Sequence, residues 1–94
     1  MKQLEDYYSG DAAWNTSVDM ARRQYWTDSP LQQVLREKVN NDLSLAIMIS
    51  AKVGEGCLAW LHMQVPALSG RKPINCLGSE KLVRRLREAL MRMD

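Results

Sequence analysis

Apolar positions recur along this chain at helical spacing, and polar punctuation separates them into segments. Trp14, Val18, Ala21 and Tyr25 fall at i, i+4, i+7 and i+11, one face of a helix that begins near Asp11, read as its N-cap after Gly10. Asn15, Thr16 and Ser17 favour caps and turns, so this helix depends on packing. Thr27, Asp28, Ser29 and Pro30 then predict a loop, a Ser cap and a Pro in the first helical position, with a helix to about Val39. On a projection of about 100° per residue, Val34, Leu31, Leu35 and Val39 share one arc, and Gln32, Gln33, Arg36 and Glu37 share the other. Lys38 lands inside the apolar arc, where its stem can lie on the core edge.

Asn40, Asn41 and Asp42 end that helix and cap the next segment. Its run Leu45, Ala46, Ile47, Met48, Ile49 has no clear period and fits a buried strand as well as a buried helix. Helix is preferred because no second strand exists to satisfy a strand's ladder groups. Gly54 and Gly56 close this segment, and Glu55 opens a helix that ends in Trp60 and Leu61. A loop follows, broken at Pro66 and turned at Gly70, where positive φ costs least, and the chain restarts at Pro73. Pro73 to Leu77 is a short helix, Gly78 is assigned the left-handed position after it, and Ser79 caps a final helix from Glu80 to Met93. There Ala89, Leu82, Met93, Leu86, Leu90 and Val83 form one arc with every charge outside it. Glu80, Arg84, Glu88 and Arg92 alternate in sign at i, i+4, the pattern of a solvated ladder. Residues 1–10 show no sustained period and are expected to form a loosely held arm, with Leu4, Tyr7 and Tyr8 able to make one turn that packs back.

The expected fold class is therefore all-α, a small multi-helix domain whose C-terminal half reads helix, loop, short helix, long helix. The 94 residues suffice for one core that buries about 60–65% of the extended chain's surface. No apolar run approaches the ~20 residues of a bilayer span, so a cytoplasmic protein with no membrane partner is expected. Cys57 and Cys76 lack CxxC or histidine company and are read as reduced, buried thiols, with no metal and no cofactor. His62 is the sole histidine, without a positioned carboxylate or nucleophile, and no catalytic residue is assigned.

Charge is distributed unevenly. Residues 1–47 carry five Lys/Arg and seven Asp/Glu, for −2; residues 48–94 carry eight and four, for +4. Arg71 and Lys72 sit on the turn before a helix start, whose free N–H groups favour anions. Lys81, Arg85 and Arg87 are not neutralised by the i, i+4 ladder, and Met91 sits among the charges as an apolar contact. The candidate partner surface is accordingly Arg71, Lys72, Arg84, Arg87 and Met91. Trp60, Leu61, Leu68, Gly70, Pro73, Ile74 and Leu77 are assigned structural work: the indole and Leu61 fill the space under the loop, and Gly70 supplies its backbone turn.

The order Trp60, Leu61, Ala67, Leu68, Gly70, Arg71, Pro73, continued by Ile74, Leu77, Val83 and Leu90, resembles the toxin-binding domain of the Xre/MbcA/ParS group of bacterial type II antitoxins, over about the second half of the chain. The resemblance implies a helix within the segment 43–56 and a division into residues 1–42, an N-terminal arm and helices packing on the domain, and 43–94, the toxin-binding domain. It further implies a cognate protein toxin, commonly of the RES type that consumes nicotinamide dinucleotide, suppressed when its active site is covered. Residues 1–42 are acidic and too short for the family's helix-turn-helix domain, so operator binding is not carried over. The sequence ends at Asp94, ahead of the family's plugging segment, so the loop and helix face would have to make the contact. The alternative function is a small nucleic-acid-binding regulator using Lys81, Arg84, Arg85 and Arg92 of the basic last helix on phosphates. A third reading is a homo-oligomer that shares that helix's apolar arc.

Overall fold

The protein is all-α, in a computed structural model that describes residues 4–93. A 3-10 turn at Leu4–Tyr7 leads into α1 (Asp11–Tyr25), α2 (Pro30–Lys38), α3 (Leu43–Val53), the single turn α4 (Cys57–Trp60) and, after two further 3-10 turns at Pro66–Leu68 and Pro73–Cys76, α5 (Glu80–Arg92). Among the described residues the only extended pairing is one isolated antiparallel bridge, Val65 with Arg71.

The aperiodic run is a helix because it is the centre of the bundle. Leu45, Ala46, Ile47, Met48 and Ile49 are all buried, and α1, α2 and α5 each pack against α3. A helix covered on most sides has no polar stripe to show. Asp42 caps it, its carboxylate accepting from the Leu45 N–H at 3.2 Å, after Asn40 and Asn41 have reversed the chain at φ +60° and +59°. Gly54 ends it at φ +77°. The helical stretch Leu43–Trp60 spans 18 residues at mean hydropathy 1.3, so this region is longer and more apolar than its uninterrupted apolar run suggests. Leu35 and Val39 of α2, Trp14 and Ala21 of α1, and Leu86, Ala89 and Leu90 of α5 complete the core. Each fully buried large side chain is worth about 1.5–3 kcal/mol.

Several expectations change. Gln32, placed on the polar arc of α2, is buried at 7% exposure. The Ser29 hydroxyl accepts from the Gln32 N–H, and the Gln32 amide oxygen accepts from the N–H groups of Ser29 (3.1 Å) and Thr27 (2.9 Å). Its Nε2 donates to the Tyr25 carbonyl and the Ser50 hydroxyl at 3.1 and 3.0 Å. One amide thereby ties the α1–α2 connection to α3. The cap of α1 is Gly10, at φ +99°, and Asp11 is the first helical residue. Val34 is exposed at the edge of its arc, and Tyr25 is exposed at the last residue of α1. Gly78 is not among the glycines with positive φ; Ser69 and Gly70 take left-handed conformations in succession instead, at φ +58° and +79°.

Of the N-terminal arm expected to be loose, residues 1–3 lie outside the described residues, and the rest is held against the domain. Residues 4–9 lie along α5 as a strap, with Glu5 and Arg85 both buried. The buried face of α5 extends beyond its apolar arc to charge: Arg85 and Glu88, beside that arc, are buried at 5% and 4% exposure. The expected ladder survives as two rungs, Glu80–Arg84 and Glu88–Arg92, both at 2.7 Å.

Candidate protein interface

The loop between α4 and α5 is a closed knuckle. The Val65 N–H donates to the Arg71 carbonyl at 3.1 Å, the Gly70 N–H donates to the Val65 carbonyl at 3.1 Å, and the Arg71 N–H donates to the Leu68 carbonyl at 3.2 Å. Leu68 points inward and is fully buried, as are Pro73 and Cys76, and the Ile74 N–H reaches the Leu61 carbonyl at 3.1 Å. Leu61 is 1% exposed, whereas Trp60 is only partly buried. The fully buried indole is Trp14, whose Nε1–H donates to the Ser44 hydroxyl at 3.2 Å. Ile74 and Leu77 are partly buried against the core. Because the inner side of the knuckle is anchored, its outer side presents a fixed surface: Met63, Ala67, Arg71 and Lys72 are all exposed, Met63 at 55%.

The cations of α5 have a different setting, since each faces a carboxylate of the chain itself. Arg85 makes a two-pronged contact with Glu5, Nε to Oε2 at 2.6 Å and an η nitrogen to Oε1 at 2.8 Å. Lys81 lies 3.8 Å from the same carboxylate. Arg87 reaches Asp11 at 3.3 Å and the Tyr8 hydroxyl at 3.2 Å, and its guanidinium lies 5.1 Å from the centroid of the Trp14 ring. Arg92 pairs with Glu88 and lies over the Tyr7 ring at 5.7 Å. Glu88 also accepts from the Ser9 N–H and hydroxyl at 3.1 and 3.2 Å.

These placements shift protonation equilibria. The Arg85 guanidinium holds the Glu5 carboxyl at about 2, below its ordinary 4.5, against an opposing effect of burial. The Glu5 carboxylate correspondingly raises Arg85. Burial pushes the Tyr8 hydroxyl upward, with Arg87 opposing. Burial likewise raises both Cys57 and Cys76, which makes them poor nucleophiles.

The five residues assigned to partner contact are thus not one patch. Arg84 and Arg87 share a cleft of about 380 Å3 between the start of α5 and Asp11, with Gly78, Ser79 and Val83 in its wall. Arg71 and Lys72 lie on the knuckle and do not line that cleft. Met91 is partly buried against the core instead of standing among arginines in solvent. Among the described residues no ion pair involves Arg71 or Lys72. The sequence holds no signal for Glu5 and none for the burial of Glu88, whose i, i+4 place reads as solvated; Gln32 carries a local one, the Ser-x-x-Gln spacing of a reciprocal cap. Compared with known proteins, no family model, no curated protein and no solved structure matches this chain.

Proposed function

We propose that this chain is a non-catalytic protein-binding module of the antitoxin kind its second half resembles, which engages and neutralises a protein partner, a RES-type toxin in the first instance, through the knuckle at residues 63–72. The carrying observation is the contrast in charge. Arg71 and Lys72 are exposed on a hydrogen-bonded loop and take part in no ion pair among the described residues, while every cation of α5 faces a carboxylate of the same chain. A fixed loop loses little conformational entropy on binding, and exposed Met63 adds apolar surface beside the charges. An acidic rim around a partner's active site is the complementary surface.

The test is co-expression with the protein encoded by the adjacent reading frame. That protein is expected to be toxic alone, harmless with the wild-type chain, and toxic again with the Arg71→Glu, Lys72→Glu double variant, which should also fail to co-purify. Full protection by that variant would overturn the role of the knuckle. Absence of any co-purifying protein would overturn the class. The nucleic-acid reading has less support, because it relies on Lys81, Arg84, Arg85 and Arg92. Arg85 is buried against Glu5, and the other three already face Glu5, Glu80 and Glu88. Binding of duplex DNA that weakens steeply with salt would restore it.

A further inference from the structure

The strap and α5 meet in an unusual way for two parts of one core. Between residues 4 and 10 only Glu5 is fully buried; Leu4 and Tyr8 are partly so, and Tyr7 is 51% exposed. Leu4 and Tyr8 pack against the edge of the core, and charge and hydrogen bonds supply the remaining contacts. These fall at regular spacing: Glu5 on Arg85 and Lys81, Tyr8 on Arg87, and Asp11, the first residue of α1, on Arg87 again. Gly10 stands between the strap and α1 at φ +99°, with nothing within 4 Å of where a side chain would begin, an open pivot that only glycine occupies without strain.

We infer that the strap is an internal ligand of α5, and that the groove it fills on Arg85, Arg87 and Lys81 is a docking site for an acidic, tyrosine-bearing segment of another protein with the spacing Glu-x-x-Tyr. The inference rests on the reading of the chain as a protein-binding module, and it adds a second surface that opens only when the strap lifts. Three properties of the groove support this occupant. A two-pronged carboxylate contact to Arg85 selects Glu or Asp by geometry as well as charge. Arg87, already lying over Trp14 and held by Asp11 of α1, offers Nη1 to a phenol. Glu88, which accepts from the Ser9 N–H, excludes a uniformly acidic chain from the same track and sets the register. A competing segment replaces each strap contact with one of the same kind, so exchange leaves neither Arg85 nor Glu88 unpaired.

The experiment uses the full chain, wild type and Glu5→Gln, titrated with a fluorescent peptide of sequence LEDYYSGD. In the wild type the tethered strap competes at an effective concentration of about millimolar, so the Glu5→Gln protein is expected to bind the peptide at least ~10-fold more tightly. Binding should weaken with salt and fall for a scrambled peptide of the same composition. Equal binding to both proteins, equal binding of the scrambled peptide, or no binding to a Glu5→Gln protein that retains its helical content would each overturn the inference. Hydrogen exchange on the wild type gives an independent measure. The Ser9 N–H, bonded to Glu88, is expected to exchange by local opening, insensitive to low denaturant and faster than the N–H groups of α3. Exchange of Ser9 only with global unfolding would show the strap to be a fixed part of the fold. None of these outcomes involves the knuckle or a toxin, so failure here leaves the co-expression test intact.

Discussion

Replacing Glu5 with Gln removes the negative charge that Arg85 meets at 2.6 Å, at a site where the two side chains are 4% and 6% exposed. The carboxyl of Glu5 is held at about 2 in the folded protein against an ordinary 4.5, and each unit of such a shift corresponds to about 1.4 kcal/mol. Ionised Glu5 therefore contributes about 3 kcal/mol, similar to the loss measured when one partner of a buried pair is removed. The sign follows from a lowered folded value: the contribution is complete above pH 4.5 and is lost as pH falls toward 2. By pH 3, about 2 kcal/mol of it should be gone. The assay is urea unfolding of wild type and Glu5→Gln at pH 7 and pH 3, with the two compared at each pH so that other carboxylates cancel. Glu5→Gln should be about 3 kcal/mol less stable at pH 7 and only about 1 kcal/mol less stable at pH 3. For a domain of this length, whose total stability is about 5–10 kcal/mol, the difference at neutral pH is a large fraction. Release of the strap sets the ceiling, because once Arg85 is hydrated nothing further is lost. Parallel pH profiles for the two proteins would refute the buried, ionised pair.

Three other perturbations follow from the packing. Gln32→Leu leaves the Ser29 and Thr27 N–H groups and the Ser50 hydroxyl without their amide partner and should cost about 1–3 kcal/mol in thermal or urea unfolding, whereas a neutral result would mean that water replaces the amide. Gly70→Ala places a Cβ at φ +79° with nothing within 4 Å of it, so its cost is backbone strain alone, about 1–2 kcal/mol, and Gly70→Asn should lose less; equal losses would point to an unnoticed clash. Leu68→Ala empties a fully buried site under the knuckle and should cost about 2–5 kcal/mol by the same assay, with increased protease cleavage between residues 62 and 72. Unchanged cleavage would show that the backbone bonds hold the knuckle without its anchor.

The sequence discloses most where the physics is local. Ser29-Pro30 sets the start of α2 because a hydroxyl cap and a fixed φ act within four residues, and Asp42 and Ser79 cap α3 and α5 for the same reason. Leu45 to Ile49 is legible as buried and ambiguous as helix or strand, since continuous burial erases periodicity. The Glu5–Arg85 pair is illegible: its residues are 80 apart, and neither has a neighbour in sequence that calls for the other. An arginine and a glutamate on α5 read as solvent-facing because unpaired charge is expelled from cores. They are inside because an acidic segment from the other end of the chain lies over them. The candidate site divides the same way. The knuckle is written in Pro66, Gly70 and Pro73, whereas the neutralisation of α5 is visible only when the strap is in place.

That division separates two uses of positive charge within one half of the chain. A cation held against a buried carboxylate is desolvated already, so a partner must displace the carboxylate before it gains anything, and affinity there depends on exchange of like for like. A cation on an anchored turn keeps its hydration, contributes first to the rate of encounter, and is available without rearrangement. Arg71 and Lys72 belong to the second kind and Arg85 to the first, while Arg87, whose partner Asp11 is exposed, lies between them. A partner that meets both surfaces would therefore bind in two stages: a fast, salt-sensitive contact at the knuckle, then a slower one limited by lifting of the strap. Substitution of Lys72 would slow the first, and substitution of Glu5 would speed the second.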